Sequence, residues 1–168
     1  MKLNAKQLRI TKPSPEDLAD IKRKPIYIVL DNVLDTYNIG SIFRLADAVA
    51  ATEIILCGGS ETPPSSRIHK AAVGTEEWVA WRHFNTAAEF LKDFKGKIIA
   101  VEQDQRSIPL FELTPTSEPV ALVVGHETDG VSKEALDLAD TIVEIPMFGV
   151  NKSLNVVVST GIVLYKIL

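Results

Sequence analysis

The chain has the pattern of an α/β domain: a mostly parallel sheet flanked by helices. Two observations predict it. Five short runs are almost continuously apolar, as strands covered on both faces must be, and amphipathic stretches with capping residues lie between them. The runs are 26–30 (IYIVL), 53–57 (EIILC), 97–101 (KIIAV), 120–124 (VALVV) and 141–145 (TIVEI).

After the first run, Asn38 is placed to cap a helix carrying Ile42, Leu45, Ala46 and Val49 on one face. Residues 86–94 repeat the pattern, with Thr86 as cap and Phe90, Leu91 and Phe94 as the apolar stripe, and Ser132 opens a third helix over 132–138. Residues 58–66, GGSETPPSS, form a turn-rich loop. The last stretch, 154–168, is ambiguous by pattern, because three consecutive valines intrinsically favour a strand.

At 168 residues, with 46% apolar and 24% charged side chains, the composition suits one globular domain with a short appendage. Its boundary falls near Lys24 and Pro25. Residues 1–24 then form a basic arm of net charge +4 on a body (25–168) of net charge −8. A net charge of −4 gives no global attraction for phosphate, so any contact with nucleic acid falls to local features such as the arm. Cys57 is the single cysteine; it excludes an internal disulfide, and no second thiol stands at ligand spacing with His69, His83 or His126, so no metal is expected. The start lacks an apolar signal segment, and the most apolar run, 156–168, is broken by Ser159, Thr160 and Lys166. A cytoplasmic protein without membrane contact is expected.

Three polar constellations stand at predicted strand ends, where open α/β sheets bind ligands. The first contains Asn38, Gly40 and Arg44, whose guanidinium matches phosphate geometry in pairs. By itself it is equally a capped helix with Arg44 paired to Asp35 or Asp47. The second, GHETDG at 125–130, brackets a short polar loop with two glycines. In the third, IPMFGVNKSLN at 145–155, Pro146 and Gly149 turn the chain sharply, leaving main-chain groups for something other than a sheet ladder. Three familiar chemistries are excluded. Asn151 precedes Lys152 where a phosphate-binding loop needs Gly, no Gly-x-Gly-x-x-Gly follows the first strand, and no serine sits in a Gly-x-Ser-x-Gly elbow.

In this order the three segments resemble the signature motifs of SpoU/TrmH-like enzymes of the SPOUT (α/β-knot) superfamily, which methylate RNA ribose 2′-hydroxyls. The resemblance runs over residues 26–168. It implies a C-terminal deep trefoil knot, a homodimer, S-adenosylmethionine as cofactor, tRNA or ribosomal RNA as substrate, and a helix for the last segment. It also implies a cofactor site at Gly125, Ile145, Met147 and Leu154, acting through main-chain groups, and a catalytic and RNA-facing set of Asn38, Arg44, Glu127, Ser153 and Asn155. The chain departs from the usual pattern at Val157 and Ser159, which bears on helix packing rather than on mapped catalytic positions. The competing expectation is a non-catalytic knot protein that only binds RNA or cofactor.

Overall fold

The computed structural model describes residue 7 and residues 11–168. Seven strands form one sheet: β1 (Lys24–Asp31), β2 (Ala51–Cys57), β3 (Ala80–Phe84), β4 (Lys97–Val101), β5 (Ile108–Pro109), β6 (Val120–Gly125) and β7 (Thr141–Glu144). Every pairing is parallel and the spatial order is β3-β2-β1-β6-β4-β7-β5. The helices are α1 (Pro15–Ala19), α2 (Thr36–Ala48), α3 (Ser66–Ala72), α4 (Ala87–Leu91), α5 (Lys133–Leu136) and α6 (Val156–Ile167).

Because side chains alternate along a strand, the central strands feed two cores. Ile28, Leu30, Ile54, Leu56, Leu122 and Val124 face α2, α3 and α6, whereas Val29, Ile55, Ala121 and Val123 face α4 and α5. The edge strand β3, AWRHF, has no apolar run, since a strand at the rim is not covered on both sides; sequence pattern passes over it. Helix α3 likewise follows directly on the proline-rich loop and escapes a pattern search, although Ser65 caps it by accepting from the Ile68 amide.

One expectation is corrected. Asn38 is not the cap of α2; Asp35 is, its carboxylate accepting from the Tyr37 amide at 2.8 Å. Asn38 lies in the first turn, buried, with its side chain free for other partners. Helix α2 packs tightly on α3 at Gly40, where a Cβ would stand 2.5 Å from the Ile68 carbonyl oxygen. The other caps fall nearer expectation. Thr86 does cap α4, though that helix ends at Leu91, and Ser132 precedes α5 without a side-chain cap bond.

The valine-rich terminus is helical. Val156, Thr160, Val163, Leu164 and Ile167 fall at helical spacing and bury one face of α6, which outweighs the intrinsic strand preference of the valines. Helix α6 lies beside α2: Asn155 at its start bonds Asn38, and Gly161 meets the side chain of Leu45. No helix among the described residues is long and apolar enough to cross a membrane.

In the described part of the N-terminal segment, α1 opens with a Ser14–Asp17 capping box. Lys12 pairs with Glu77, and Arg23 donates to the carbonyls of Ala51 and Trp78. Lys24 already belongs to β1. Lys2, Lys6 and Arg9 lie outside the described residues.

Candidate active site

Three neighbouring strands, β4, β6 and β7, end at a cleft of about 500 Å³, within the range of about 300–1,000 Å³ typical of small-molecule sites. One wall is the loop after β6, 125–130, closed by reciprocal main-chain bonds between His126 and Gly130. Gly125 is required there by close packing rather than by torsion: a Cβ would lie 2.1 Å from the Gly130 carbonyl carbon. The other wall is the irregular stretch between β7 and α6, contributing Ile145, Met147, Lys152, Ser153, Leu154 and Asn155.

Pro146 and Gly149 keep this second wall out of any ladder. Among the described residues, the main-chain groups of 147–154 join in one hydrogen bond, Gln103 Nε2 donating to the Lys152 carbonyl. Exposed amides and carbonyls are therefore available to a bound molecule.

Beside the cleft, the three sequence motifs meet in one hydrogen-bond chain. Asn155 Nδ2 donates to Asn38 Oδ1 at 3.1 Å, and Asn38 Nδ2 donates to Glu127 Oε1 at 3.0 Å. The amides of Asp35 and Leu34 donate to the two Glu127 oxygens at 3.1 and 3.2 Å. Partial burial pushes the Glu127 carboxyl up, but the bonds from Asn38, its own backbone, Asp35 and Leu34 together outweigh it, so its pKa lies below the ordinary glutamate value. Asn155 is held at the head of α6 by accepting from the Val157 amide.

Of the expected site residues, Gly125, Ile145, Met147, Leu154, Glu127, Ser153 and Asn155 line the cleft, and Asn38 is tied to two of them. Arg44 does not line it. Arg44 is exposed on α2, seven residues along from Tyr37 on the same helix face, and its guanidinium makes no hydrogen bond or ion pair among the described residues. Neither surface pairing of Arg44 is formed: Asp47 accepts from Trp78 Nε1 and Asp35 from the Tyr37 amide, each at 2.8 Å.

Sequence reasoning missed Glu102, Gln103 and His126. Glu102 accepts from the amides of Gln103 and Val131, fastening β4 to the far end of the β6 loop, while Gln103 reaches across to the opposite wall. His126 Nδ1 accepts from the amides of Thr128 and Asp129, both at 3.1 Å, which stiffens the loop from within. The only clue to Glu102 and Gln103 was their place just past an apolar strand.

A parallel sheet with a largely main-chain-walled cleft at its carboxyl edge, and a polar network joining three distant loops, defines a small-ligand-binding α/β enzyme. The SpoU rRNA methylase family profile matches residues 25–165, and the chain belongs to that family. It is 32% identical over 154 residues to a tRNA (guanosine(18)-2′-O)-methyltransferase of Aquifex aeolicus, covering 89% of this chain and 72% of that one. It is 31% identical over 153 residues to a 23S rRNA (guanosine-2′-O-)-methyltransferase of Ralstonia nicotianae, covering 90% of this chain and 61% of that one. Its fold superposes on the crystal structure of an S-adenosylmethionine-bound rRNA methyltransferase from Sinorhizobium meliloti with a TM-score of 0.78 at 30% identity, over 95% of this chain and 58% of that one.

Proposed function

We propose that the chain transfers a methyl group from S-adenosylmethionine to a ribose 2′-hydroxyl of tRNA or ribosomal RNA. The enzyme class is that of its family, an RNA 2′-O-methyltransferase with S-adenosylmethionine as methyl donor. The observation that carries the reading is the Asn155–Asn38–Glu127 chain, which joins three motifs 89 and 117 residues apart beside a cleft with uncommitted main-chain groups.

The cleft fits the cofactor on two counts. Free amides and carbonyls of the β7–α6 wall suit an adenine edge, and Glu102, Glu127, Asp129 and Glu144 outnumber Lys152 around it, which favours a ligand carrying a sulfonium and an ammonium. Gly125, Ile145, Met147 and Leu154 are the positions that would hold it. When bound, it supplies an electrophilic methyl group.

The chain's own residues must place and stabilise the attacking oxygen. A guanidinium stays protonated, so Arg44 is assigned to the neighbouring phosphate and to the charge developing on the oxygen, not to proton removal. Glu127, with both oxygens engaged and its pKa lowered, serves as an orienting anion rather than a general base at neutral pH. It fixes Asn38 and through it Asn155, leaving Ser153 and Asn155 to orient the ribose.

Arg44 lies outside the cleft of its own chain, and α6 leaves Val158, Ile162 and Tyr165 exposed at helical spacing, with Leu34 and Tyr37 exposed at the entry to the adjoining α2. We infer a homodimer that covers these apolar residues and brings each Arg44 to its partner's cleft, with the segment from β7 to α6 threaded as the family's trefoil knot, in a cytoplasmic enzyme. Equal mixing and reassembly of Arg44→Ala with Asn155→Ala, each inactive alone, then restores about a quarter of wild-type turnover, because half the dimers carry one complete site. No recovery in verified mixed dimers would place Arg44 in its own chain's site.

Residues 1–24 are proposed as a phosphate-contacting arm on the body formed by 25–168. Their removal is expected to flatten the fall of RNA affinity with salt. An unchanged slope would move the phosphate contacts elsewhere.

A further inference from the structure

At the end of α3 and in the turn that follows it, a second cluster of polar groups stands outside the cleft. His69 is in the last turn of α3, and Glu76 and Glu77 lie in a short 3-10 turn (Thr75–Glu77) reached through the left-handed Val73 and Gly74. One ligand atom from each of the three lies within 4.8 Å of the others. His69 Nδ1 is 2.5 Å from Glu76 Oε1.

Glu76 is the unusual member. Its side chain is only 7% exposed, and Oε2 is buried without a hydrogen-bond partner among the described residues. A buried carboxylate oxygen lacking a partner is costly, more so when the group is charged. A cation gripped by both Glu76 oxygens would satisfy it.

We propose that His69, Glu76 and Glu77 bind a divalent first-row transition-metal ion of the Zn²⁺ type. One imidazole with two carboxylates is a borderline nitrogen and oxygen donor set that suits Zn²⁺, Co²⁺ or Ni²⁺ better than Mg²⁺, which prefers oxygen ligands. Ligands at about 2.0–2.2 Å from a shared ion stand roughly 3–4 Å apart, so the histidine must move back from Glu76 slightly and Glu77 must swing in. Both can do so: the side chains of His69 and Glu77 are 61% and 36% exposed, while the buried Glu76 is the fixed point. Lys12, which pairs with Glu77, gives way to the stronger cation. The expectation of no metal rests on the lack of a second thiol beside the histidines, whereas this set joins His69 to two carboxylates.

The site is separate from the methyl-transfer cleft, and its test does not depend on that reaction. The 168-residue chain, stripped with chelator, is titrated with Co²⁺ and Zn²⁺ by calorimetry and visible absorption. One ion per chain, a rise in Tm with Zn²⁺, and at least a tenfold loss of affinity in both His69→Ala and Glu77→Gln are expected. Glu76→Gln serves as a third variant where its fold is confirmed by circular dichroism. Absence of binding in the wild-type protein overturns the proposal, as does binding that survives in His69→Ala and Glu77→Gln, which would put the ion at another histidine.

Discussion

Two strand-to-helix connections flank the active site and are built on opposite plans. The one from β1 to α2, residues 32–35, is closed: Asp35 caps the helix, the amides of Leu34 and Asp35 end on Glu127, and Asn32 Oδ1 accepts from Gly59 at 2.8 Å. The one from β7 to α6, residues 145–155, is open, with Phe148 and Val150 fully exposed and its main chain nearly free of internal partners. The closed connection fixes its side chains by hydrogen bonds. The open one leaves backbone groups unpaired, and the sheet that supports both supplies the stability neither has alone.

The sharpest way to break this contrast is to damage the wall facing the open connection. Gly125→Ala drives a methyl group to 2.1 Å from the Gly130 main chain, so the loop must move. We expect a stability loss of about 2–4 kcal/mol and cofactor binding weakened beyond tenfold, read by thermal melting and calorimetry. Wild-type melting and affinity in this variant would show that the loop does not set the wall.

A milder probe tests the closed connection. In Glu127→Gln an amide NH₂ faces N–H donors, and cofactor affinity should fall several-fold while stability at pH 7 falls by about 1 kcal/mol, discounted for exposure. The wild-type carboxyl has a folded-state pKa below the ordinary 4.5, so its contribution is present above that value and disappears as pH falls through the lower folded value. The stability difference between the two proteins should therefore shrink below about pH 4.5. A difference constant down to acid unfolding would remove Glu127 from the network.

The smallest effect is expected in the core under β2. Burial, with added repulsion from Asp31 and Glu89, pushes the Cys57 thiol up to about 12. Native protein at pH 8 should resist a thiol reagent and react fully in urea, and prompt native labelling would show that the β2 end opens to solvent.

Much of the fold was legible from residues alone, and unevenly. The four central strands and β7 were plain because burial on both faces demands unbroken apolar runs. β3 and β5, at the rims, carry no such signature, and α3 hid behind a proline-rich turn. In the site, Gly125 and the open connection were readable from glycine and proline placement. Glu102, Gln103 and His126 were not, because their roles consist of bonds to main-chain groups contributed by other segments.

The sequence by itself determined the parallel α/β class, the strand-end position of the motifs and, through resemblance, the family. Tertiary structure alone decided that Asn38 faces Glu127 and Asn155 instead of capping its helix, and that Arg44 stands outside its own cleft; the helix of the valine run, ambiguous by pattern, was implied by the resemblance and is formed. The reason is physical: periodicity and turn chemistry are local, whereas the partner of a polar side chain is chosen by which loops the sheet brings together.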